Sequence, residues 1–202
     1  MKIDPFLEPL ILASASPRRR EILERMKCSF KVMPSSMEET VFAGLSPEDN
    51  AEELSKGKAR AVAARLDRGT VVGCDTLVAV DKKILGKPAS PEEAKRILTF
   101  LSGKMQKVIS GLCLIHVKTG IELTGHEVTK VYTRPMSRRD VEDYVATGEG
   151  IDKAGAYAIQ ETGDRFIERL EGSFDNVVGF PTELFERLIS ILSDRLRDGN
   201  KS

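Results

Sequence analysis

The stretch Leu10-Ile11-Leu12-Ala13-Ser14-Ala15-Ser16-Pro17-Arg18-Arg19-Arg20 leads from an apolar run through a Ser-Pro pair into three arginines. The run from Leu10 to Ser14 predicts a buried first strand. Ser16 followed by Pro17 predicts the start of a helix, because serine caps helix N-termini and proline suits the first helical position. A strand that passes directly into a helix is the unit from which α/β folds are built.

Outward from this stretch, apolar runs alternate with segments of helical spacing. Further helices are predicted to begin at Ser46-Pro47, at Ser90-Pro91 with a capping box to Glu93, at Ser137, and at Pro181. Strands are predicted over 70–80, over a short segment that ends at Leu85, over the hairpin arms 107–117 and 121–133, and over 165–170. This mixture predicts an α/β fold with a mixed β-sheet flanked by helices.

The charge balance restricts the classes of function. The 202 residues contain 31 Lys plus Arg and 31 Asp plus Glu, so the formal net charge is zero. The chain therefore lacks the overall positive charge that drives nucleic-acid binding, and we expect no nucleic-acid partner. Hydrophobic residues make up 41% of the chain, which is enough for one large domain or for two lobes around a cleft.

The histidines and cysteines exclude further chemistry. With only His116 and His126, a histidine-rich zinc site is not available, and we expect both side chains to be structural. Cys28, Cys74 and Cys113 are odd in number and far apart, which argues against a disulfide framework and favours a reducing cytoplasm. No apolar stretch reaches the length of a membrane span, so we expect a cytoplasmic protein with no membrane partner.

The residues that follow the three Ser-Pro pairs differ in charge. Acidic pairs follow Pro47 and Pro91, at the helix end where the dipole favours them, whereas three arginines follow Pro17. Each exposed cation at that position costs about 0.3–1 kcal/mol. A helix N-terminus offers free N–H groups to an anion, and adjacent arginines add forked donors. The pattern therefore favours phosphate binding over a solvated basic turn.

Three more segments are candidates for a functional site. Asp75 follows the apolar run from Val71, where sheet strands emerge into a cleft, although a lone aspartate also caps turns. Lys87 lies between a glycine and a proline on a stiff loop, which also suits an ordinary surface lysine. The segment Asp152 to Gln160 is small and polar at its ends, as in a loop that closely approaches a ligand or in a turn packed on a sheet.

Together these segments resemble the Maf family of nucleoside triphosphate pyrophosphatases, over nearly the whole chain from Leu10 to Pro181. The resemblance depends on seven short motifs in the order of the family. They are Leu12-Ala13-Ser14-Ala15-Ser16-Pro17-Arg18-Arg19, Glu38-Glu39, Lys58-Ala59-Arg60, Gly73-Cys74-Asp75-Thr76, Gly86-Lys87-Pro88, Asp152 to Gln160, and Val177-Val178-Gly179-Phe180-Pro181. The departures are small: Cys74 stands where a small residue is common, and Ala158 and Glu161 replace frequent glycines.

The resemblance implies a fold, a reaction and a cofactor. The fold is an elongated α/β body like that of ITP pyrophosphatases, a single domain over residues 1–202 with two lobes around a central cleft. The reaction cleaves a nucleoside triphosphate between its α- and β-phosphates and gives the monophosphate and pyrophosphate. The cofactor is a divalent metal cation, Mg²⁺ or Mn²⁺. Relatives are commonly homodimers, so the resemblance also implies a second copy of the chain as a partner.

The resemblance further implies roles for individual residues. Asp75 would be the proton acceptor and, with Glu39, would bind the metal. The groups implied around the triphosphate are Ser14, Arg18, Arg19, Lys58 and Lys87, the two lysines being counted with the catalytic residues. Thr76 and Gln160 resemble the subgroup that acts on dTTP and UTP, with modified pyrimidine nucleotides as further substrates. The set suits the chemistry, because a triphosphate with about four negative charges needs several cations and Mg²⁺ prefers oxygen ligands.

Two other functions fit the same resemblance. One is a pyrophosphatase for 7-methyl-GTP or another purine nucleotide, although that subgroup usually departs at the specificity positions. The other is a nucleotide-sensing regulator of septum formation with little turnover, against which the joint presence of Asp75, Glu39, Lys58 and Lys87 argues. A nucleic-acid-binding module is the weakest alternative, since only the run of three arginines favours it.

Overall fold

The computed structural model describes residues 4–160 and 162–199. The strands are β1 (Leu10–Leu12), β2 (Phe30–Val32), β3 (Thr70–Val80), β4 (Lys83–Leu85), β5 (Met105–His116), β6 (Ile121–Thr133) and β7 (Ile167–Glu171). The α-helices are α1 (Pro17–Arg25), α2 (Pro47–Ala63), α3 (Pro91–Leu101), α4 (Arg138–Thr147), α5 (Phe174–Val178) and α6 (Thr182–Gly199). Short 3-10 helices lie at Pro5–Leu7, Ala154–Ala156 and Thr162–Phe166. Every predicted helix and strand is present within a few residues of its predicted position.

The strands form one mixed sheet in the order β2-β1-β3-β5-β6-β7, with β4 paired to β3. β1 runs parallel to both β2 and β3, while β4 and β7 run antiparallel to their neighbours β3 and β6. β5 and β6 are adjacent and joined by a turn at 117–120, as the hairpin prediction requires. The predicted α/β fold with a mixed sheet flanked by helices is therefore confirmed.

The helix starts differ from their predictions in detail. Ser16 is the N-cap residue of α1 and Pro17 is its first residue, as predicted, but the Ser16 side chain makes no capping hydrogen bond. Ser90 Oγ accepts from Glu93 N at 3.2 Å, but the Glu93 carboxylate accepts from Ala89 N, so the predicted capping box is only half formed. A complete capping box instead begins α4, where Ser137 and Asp140 satisfy each other's backbone N–H groups.

Tertiary contacts divide the chain into two compact units. The first comprises Met1–Asp75, Ser110–Glu127 and Gly179–Ser202, and the second comprises Thr76–Ile109 and Val128–Val178. The boundaries fall inside β3, β5 and β6, so three strands contribute residues to both units. The predicted single domain with a central cleft stays a prediction.

The three cysteines are free thiols, and all of them are buried. Burial raises the pKa of Cys113 to about 12 and also raises the pKa of Cys28 and of Cys74. A thiol with a raised pKa is neutral at physiological pH and reacts slowly. The described structure therefore contains no disulfide bond among these cysteines.

None of the helices in the described part of the chain is long and apolar enough to cross a membrane.

Candidate active site

In the first unit, a buried lysine lies between two carboxylates. The side chain of Lys58, on α2, is 7% exposed, and its ammonium contacts Asp75 Oδ1 and Glu39 Oε1, the latter at 2.6 Å. Asp75 is equally buried, whereas the Glu39 side chain is 48% exposed. Because an unpaired buried charge is costly, Lys58 and Asp75 depend on each other. The structure thus brings together three of the residues predicted for the site.

The close approach of α2 to β3 places Lys58 beside Asp75. Gly73, two residues before Asp75, lies so near the helix that a Cβ there would be 2.7 Å from Ala59 N and closer still to the Ser55 carbonyl oxygen. Glycine is therefore required at this crossing. Asp75 itself lies inside β3 and not at its end, so the prediction that it marks the exit of a strand into a cleft is wrong in position.

The segment that carries Glu39 is held against α2 by two side chains. Met37 packs over Gly57, where any larger residue would collide with the Met37 sulfur. Asn50, fully buried in α2, accepts from Phe42 N at 2.7 Å and donates to the carbonyl oxygens of Phe42, Leu45 and Ser46. Sequence reasoning missed Asn50, although an asparagine inside a helix is a signal of side-chain bonding to backbone.

The arginines after Pro17 have three different environments. Arg19 is buried; its guanidinium donates to Ser14 Oγ at 3.0 Å and to the Gly179 carbonyl at 2.9 Å. Arg18 is half-buried, and Arg20 is exposed and paired with Glu24 at 2.8 Å. The first turn of α1 therefore directs one arginine into the fold and leaves one as an ordinary surface ion pair.

The Gly179 carbonyl connects this arginine to the strand that carries Asp75. It also accepts a hydrogen bond from Cys74 Sγ at 3.5 Å, so Arg19 and Cys74 share one acceptor. Gly179 has φ +124°, a conformation that favours glycine. Burial raises the pKa of the Cys74 thiol, which keeps it a neutral donor beside Asp75. Gly179, from the last of the seven sequence motifs, thus has a structural role, because its carbonyl links Arg19 to β3.

The other predicted site residues belong to the second unit. Thr76 is half-buried, and Lys87 and Gln160 are exposed. The segment that leads to Gln160 is anchored from the core: Gln106 Nε2 donates to Tyr157 Oη at 2.7 Å, and Tyr144 Oη accepts from Ala158 N at 3.0 Å. Burial raises the pKa of Tyr157, so its hydroxyl stays protonated. Glu161, noted as a departure from the family, lies outside the described residues.

The two anchoring residues, Gln106 and Tyr144, were not found from the sequence. The anchored segment is irregular, with positive φ at Gly155 (+77°) and at Ala156 (+61°), and the latter is uncommon for a residue with a side chain. Gly155 N also donates to Gly86 O at 3.4 Å, beside Lys87. Within the second unit, the structure therefore brings the Lys87 loop into contact with the segment that precedes Gln160.

The first unit offers oxygen ligands of the kind that a divalent cation needs. Asp75 and Glu39 already converge on one cationic atom, the Lys58 ammonium. Across residues 4–160 and 162–199, no group of three or more His, Cys, Asp or Glu side chains is placed to hold a metal. Two carboxylates, completed by water and phosphate oxygens, suit Mg²⁺, which retains several waters. The donor set therefore fits the implied cofactor.

Buried aspartate, lysine and arginine side chains grouped around strand residues on an α/β sheet define a polar site suited to a charged substrate. A family profile described as "Maf-like protein" matches residues 9–192, and the chain belongs to the Maf family. A protein of Moorella thermoacetica named "dTTP/UTP pyrophosphatase" is 45% identical over 92% of this chain and 95% of its own length. Proteins of Thermococcus onnurineus and Thermococcus kodakarensis with the same name are 49% and 48% identical over 89% of this chain, covering 95% and 94% of their lengths.

Removing the charge of Lys58 should destabilise the fold. In Lys58→Met the buried Asp75 loses its partner, a change that typically costs about 3–5 kcal/mol. Lys56→Met is a matched control on the same helix, since Lys56 pairs with Glu53 at 2.8 Å in a more exposed position. Exposed ion pairs contribute about 0.2–1 kcal/mol. Urea denaturation of the two variants measures both losses. Equal losses would show that the Lys58 cluster is not a buried ion pair.

Proposed function

We propose that this protein hydrolyses dTTP and UTP to the monophosphate and pyrophosphate. The observation that carries the proposal is the extent of the match to proteins named "dTTP/UTP pyrophosphatase", which includes 45% identity over 92% of the chain. The geometry of the first unit supports it, because a carboxylate, a lysine and an arginine are held in fixed positions on strand and helix. Hydrolysis of a triphosphate needs a proton acceptor and several cations in such fixed positions.

In the proposed reaction, water adds across the anhydride between the α- and β-phosphates. Asp75 accepts the proton of the attacking water, and pyrophosphate leaves with the electron pair of the broken P–O bond. Asp75 is suited to this role because it lies inside β3, which holds its backbone in a fixed position, so little reorganisation is needed during the reaction. A free aspartate, with a pKa of about 3.9, is a weak base for bulk water, so the attacking water must itself be made more acidic.

We propose Glu39 and Asp75 as the residues that hold a Mg²⁺ or Mn²⁺ ion. The bound cation supplies positive charge to the phosphates and makes a neighbouring water more acidic. The exposed half of the Glu39 side chain leaves room for solvent and phosphate oxygens on one side of this carboxylate pair.

Chelation of the metal with EDTA is expected to stop turnover, and added Mg²⁺ or Mn²⁺ is expected to restore it.

The remaining site residues are proposed as substrate contacts. Arg18, Lys58 and Lys87 supply charge for the phosphates, while Arg19 and Ser14 already bind each other and present one joint donor group. Thr76 and Gln160 are proposed to hydrogen-bond the pyrimidine edge. A site built on such bonds rejects bases that lack the matching groups more strongly than an apolar slot does.

The direct test is a substrate panel with identification of the products. The purified protein is incubated with each nucleoside triphosphate and with 7-methyl-GTP in Mg²⁺ or Mn²⁺. We expect dTTP and UTP to be cleaved fastest, with the monophosphate and pyrophosphate as products. Release of orthophosphate would contradict the reaction, and preference for 7-methyl-GTP or another purine would contradict the substrate. Tight binding without turnover would instead indicate the regulator of septum formation.

Assembly and location are proposed from the family alone. A homodimer is expected from sedimentation of the purified protein, and a cytoplasmic location from fractionation of the source cells. We propose no nucleic-acid partner, since the net charge is zero. Salt-dependent binding to duplex DNA would contradict that expectation.

A further inference from the structure

We propose that the Lys58 ammonium and the divalent cation compete for the same two carboxylates. The inference rests on the proposed function and adds a form of regulation to it: the metal binds weakly until nucleotide phosphates draw Lys58 away. The observation that carries it is the position of Nζ, in contact with both Asp75 Oδ1 and Glu39 Oε1.

The two cations need the same space. A carboxylate oxygen lies about 2.0–2.1 Å from a bound Mg²⁺, whereas Glu39 Oε1 lies 2.6 Å from the Lys58 ammonium. A cation bound to both Asp75 Oδ1 and Glu39 Oε1 would therefore occupy nearly the position of Nζ. Since like charges at such a separation repel strongly, the ammonium must withdraw before a divalent ion can join both oxygens.

Other cations of α2 do not compete in the same way. Lys56 pairs with Glu53 at 2.8 Å, and Arg60 pairs with Glu122 at 2.7 Å. Both pairs are more exposed than the Lys58–Asp75 pair. Lys58 is thus distinguished by burial and by contact with both carboxylates. The proposal accordingly predicts that removing the positive charge of Lys58 raises the affinity for the metal, whereas removing that of Lys56 leaves it unchanged.

Nucleotide phosphates offer the Lys58 ammonium an alternative binding partner. Its flexible stem carries three N–H donors, and phosphate oxygens accept charge-assisted hydrogen bonds well. A nucleotide that attracts the ammonium frees the carboxylates for the metal. Because linkage is reciprocal, bound metal then strengthens nucleotide binding by the same factor. Without nucleotide the protein therefore stays largely metal-free, and the metal and the substrate bind cooperatively.

The test measures metal affinity without nucleotide. Mn²⁺ is titrated into the parent protein, Lys58→Gln and the control Lys56→Gln, and unbound Mn²⁺ is followed by electron paramagnetic resonance. We expect Lys58→Gln to bind Mn²⁺ at least about tenfold more tightly than the parent, because a positive charge has left the site. Lys56→Gln should match the parent. Equal or weaker binding by Lys58→Gln would overturn the proposal.

The other outcomes are equally decisive. If none of the three proteins binds Mn²⁺, the carboxylate pair is not a metal site and the proposal fails. The proposed cleavage of dTTP and UTP is tested separately, by the product assay. If Lys58→Gln folds only when Mn²⁺ is present, the proposal is supported. If Lys58→Gln does not fold at all, the parent protein is used instead, and the NMR resonance of its Lys58 Cε–Hε group is compared with and without Mg²⁺. A shift in excess Mg²⁺ supports displacement of the ammonium, and an unchanged resonance overturns it.

Discussion

Asp75→Asn is expected to lower kcat by about 10²–10⁴-fold, the usual contribution of a general base. Asparagine keeps the size and hydrogen-bonding capacity of the side chain but cannot accept the proton of an attacking water. The fold should survive, because the Lys58 ammonium retains Glu39 as a partner at 2.6 Å. Single-turnover hydrolysis of dTTP, measured beside a thermal melt, separates lost chemistry from lost structure.

A second aspartate provides the control for this result. Asp67 is exposed, and it lies in the segment between α2 and β3 of the same unit. Asp67→Asn removes one negative charge without touching the cluster, so its kcat should equal that of the parent. If Asp75→Asn were as active as Asp67→Asn, Asp75 would have no part in the reaction, and another base would have to be sought.

Gly73→Ala is expected to impair both stability and catalysis. The added Cβ would lie 2.7 Å from Ala59 N and nearer to the Ser55 carbonyl oxygen, so the backbone of α2 or β3 must move. Overpacking of this kind costs about 1–3 kcal/mol or more. Lys58 precedes Ala59, so the same movement separates it from Asp75, and a displacement of about 1 Å can reduce the rate about 10²-fold.

Gly125→Ala is the matched control, since Gly125 is also a strand glycine of the first unit. Its added Cβ would meet only the tip of the Leu184 side chain, at 3.2 Å, which can turn away. Urea denaturation and kcat/KM with dTTP are measured for both variants. Parental values for Gly73→Ala would show that the close crossing of α2 and β3 is not needed to hold Lys58 beside Asp75.

The local part of this structure could be predicted from sequence because it depends on neighbouring residues. The passage from β1 into α1, the helix after Ser46 and the β5–β6 hairpin all follow from apolar spacing and from turn or cap residues. The chemistry of Asp75, Lys58 and Glu39 was predicted through the family resemblance. The structure adds that all three lie in contact in one cluster.

What sequence reasoning missed depends on distant residues. Arg19 donates to the carbonyl of Gly179, 160 positions away, and no periodicity links the two. The Ser-Pro comparison singled out the arginines correctly as unusual but treated them alike, whereas burial separates Arg19 from the exposed Arg20. Ser16 occupies its predicted N-cap position, and the sequence did not indicate that its backbone N–H donates to Ser14 Oγ, the oxygen that also accepts from Arg19.

The burial of all three thiols makes this chain a suitable background for site-specific labelling. A maleimide reagent needs an accessible thiolate, and the native cysteines offer neither exposure nor a low pKa. A cysteine introduced at the exposed Thr40, next to Glu39, would therefore be the reactive position of the folded protein. A fluorophore or spin label there would report directly on the segment that carries Glu39 as metal and nucleotide are added.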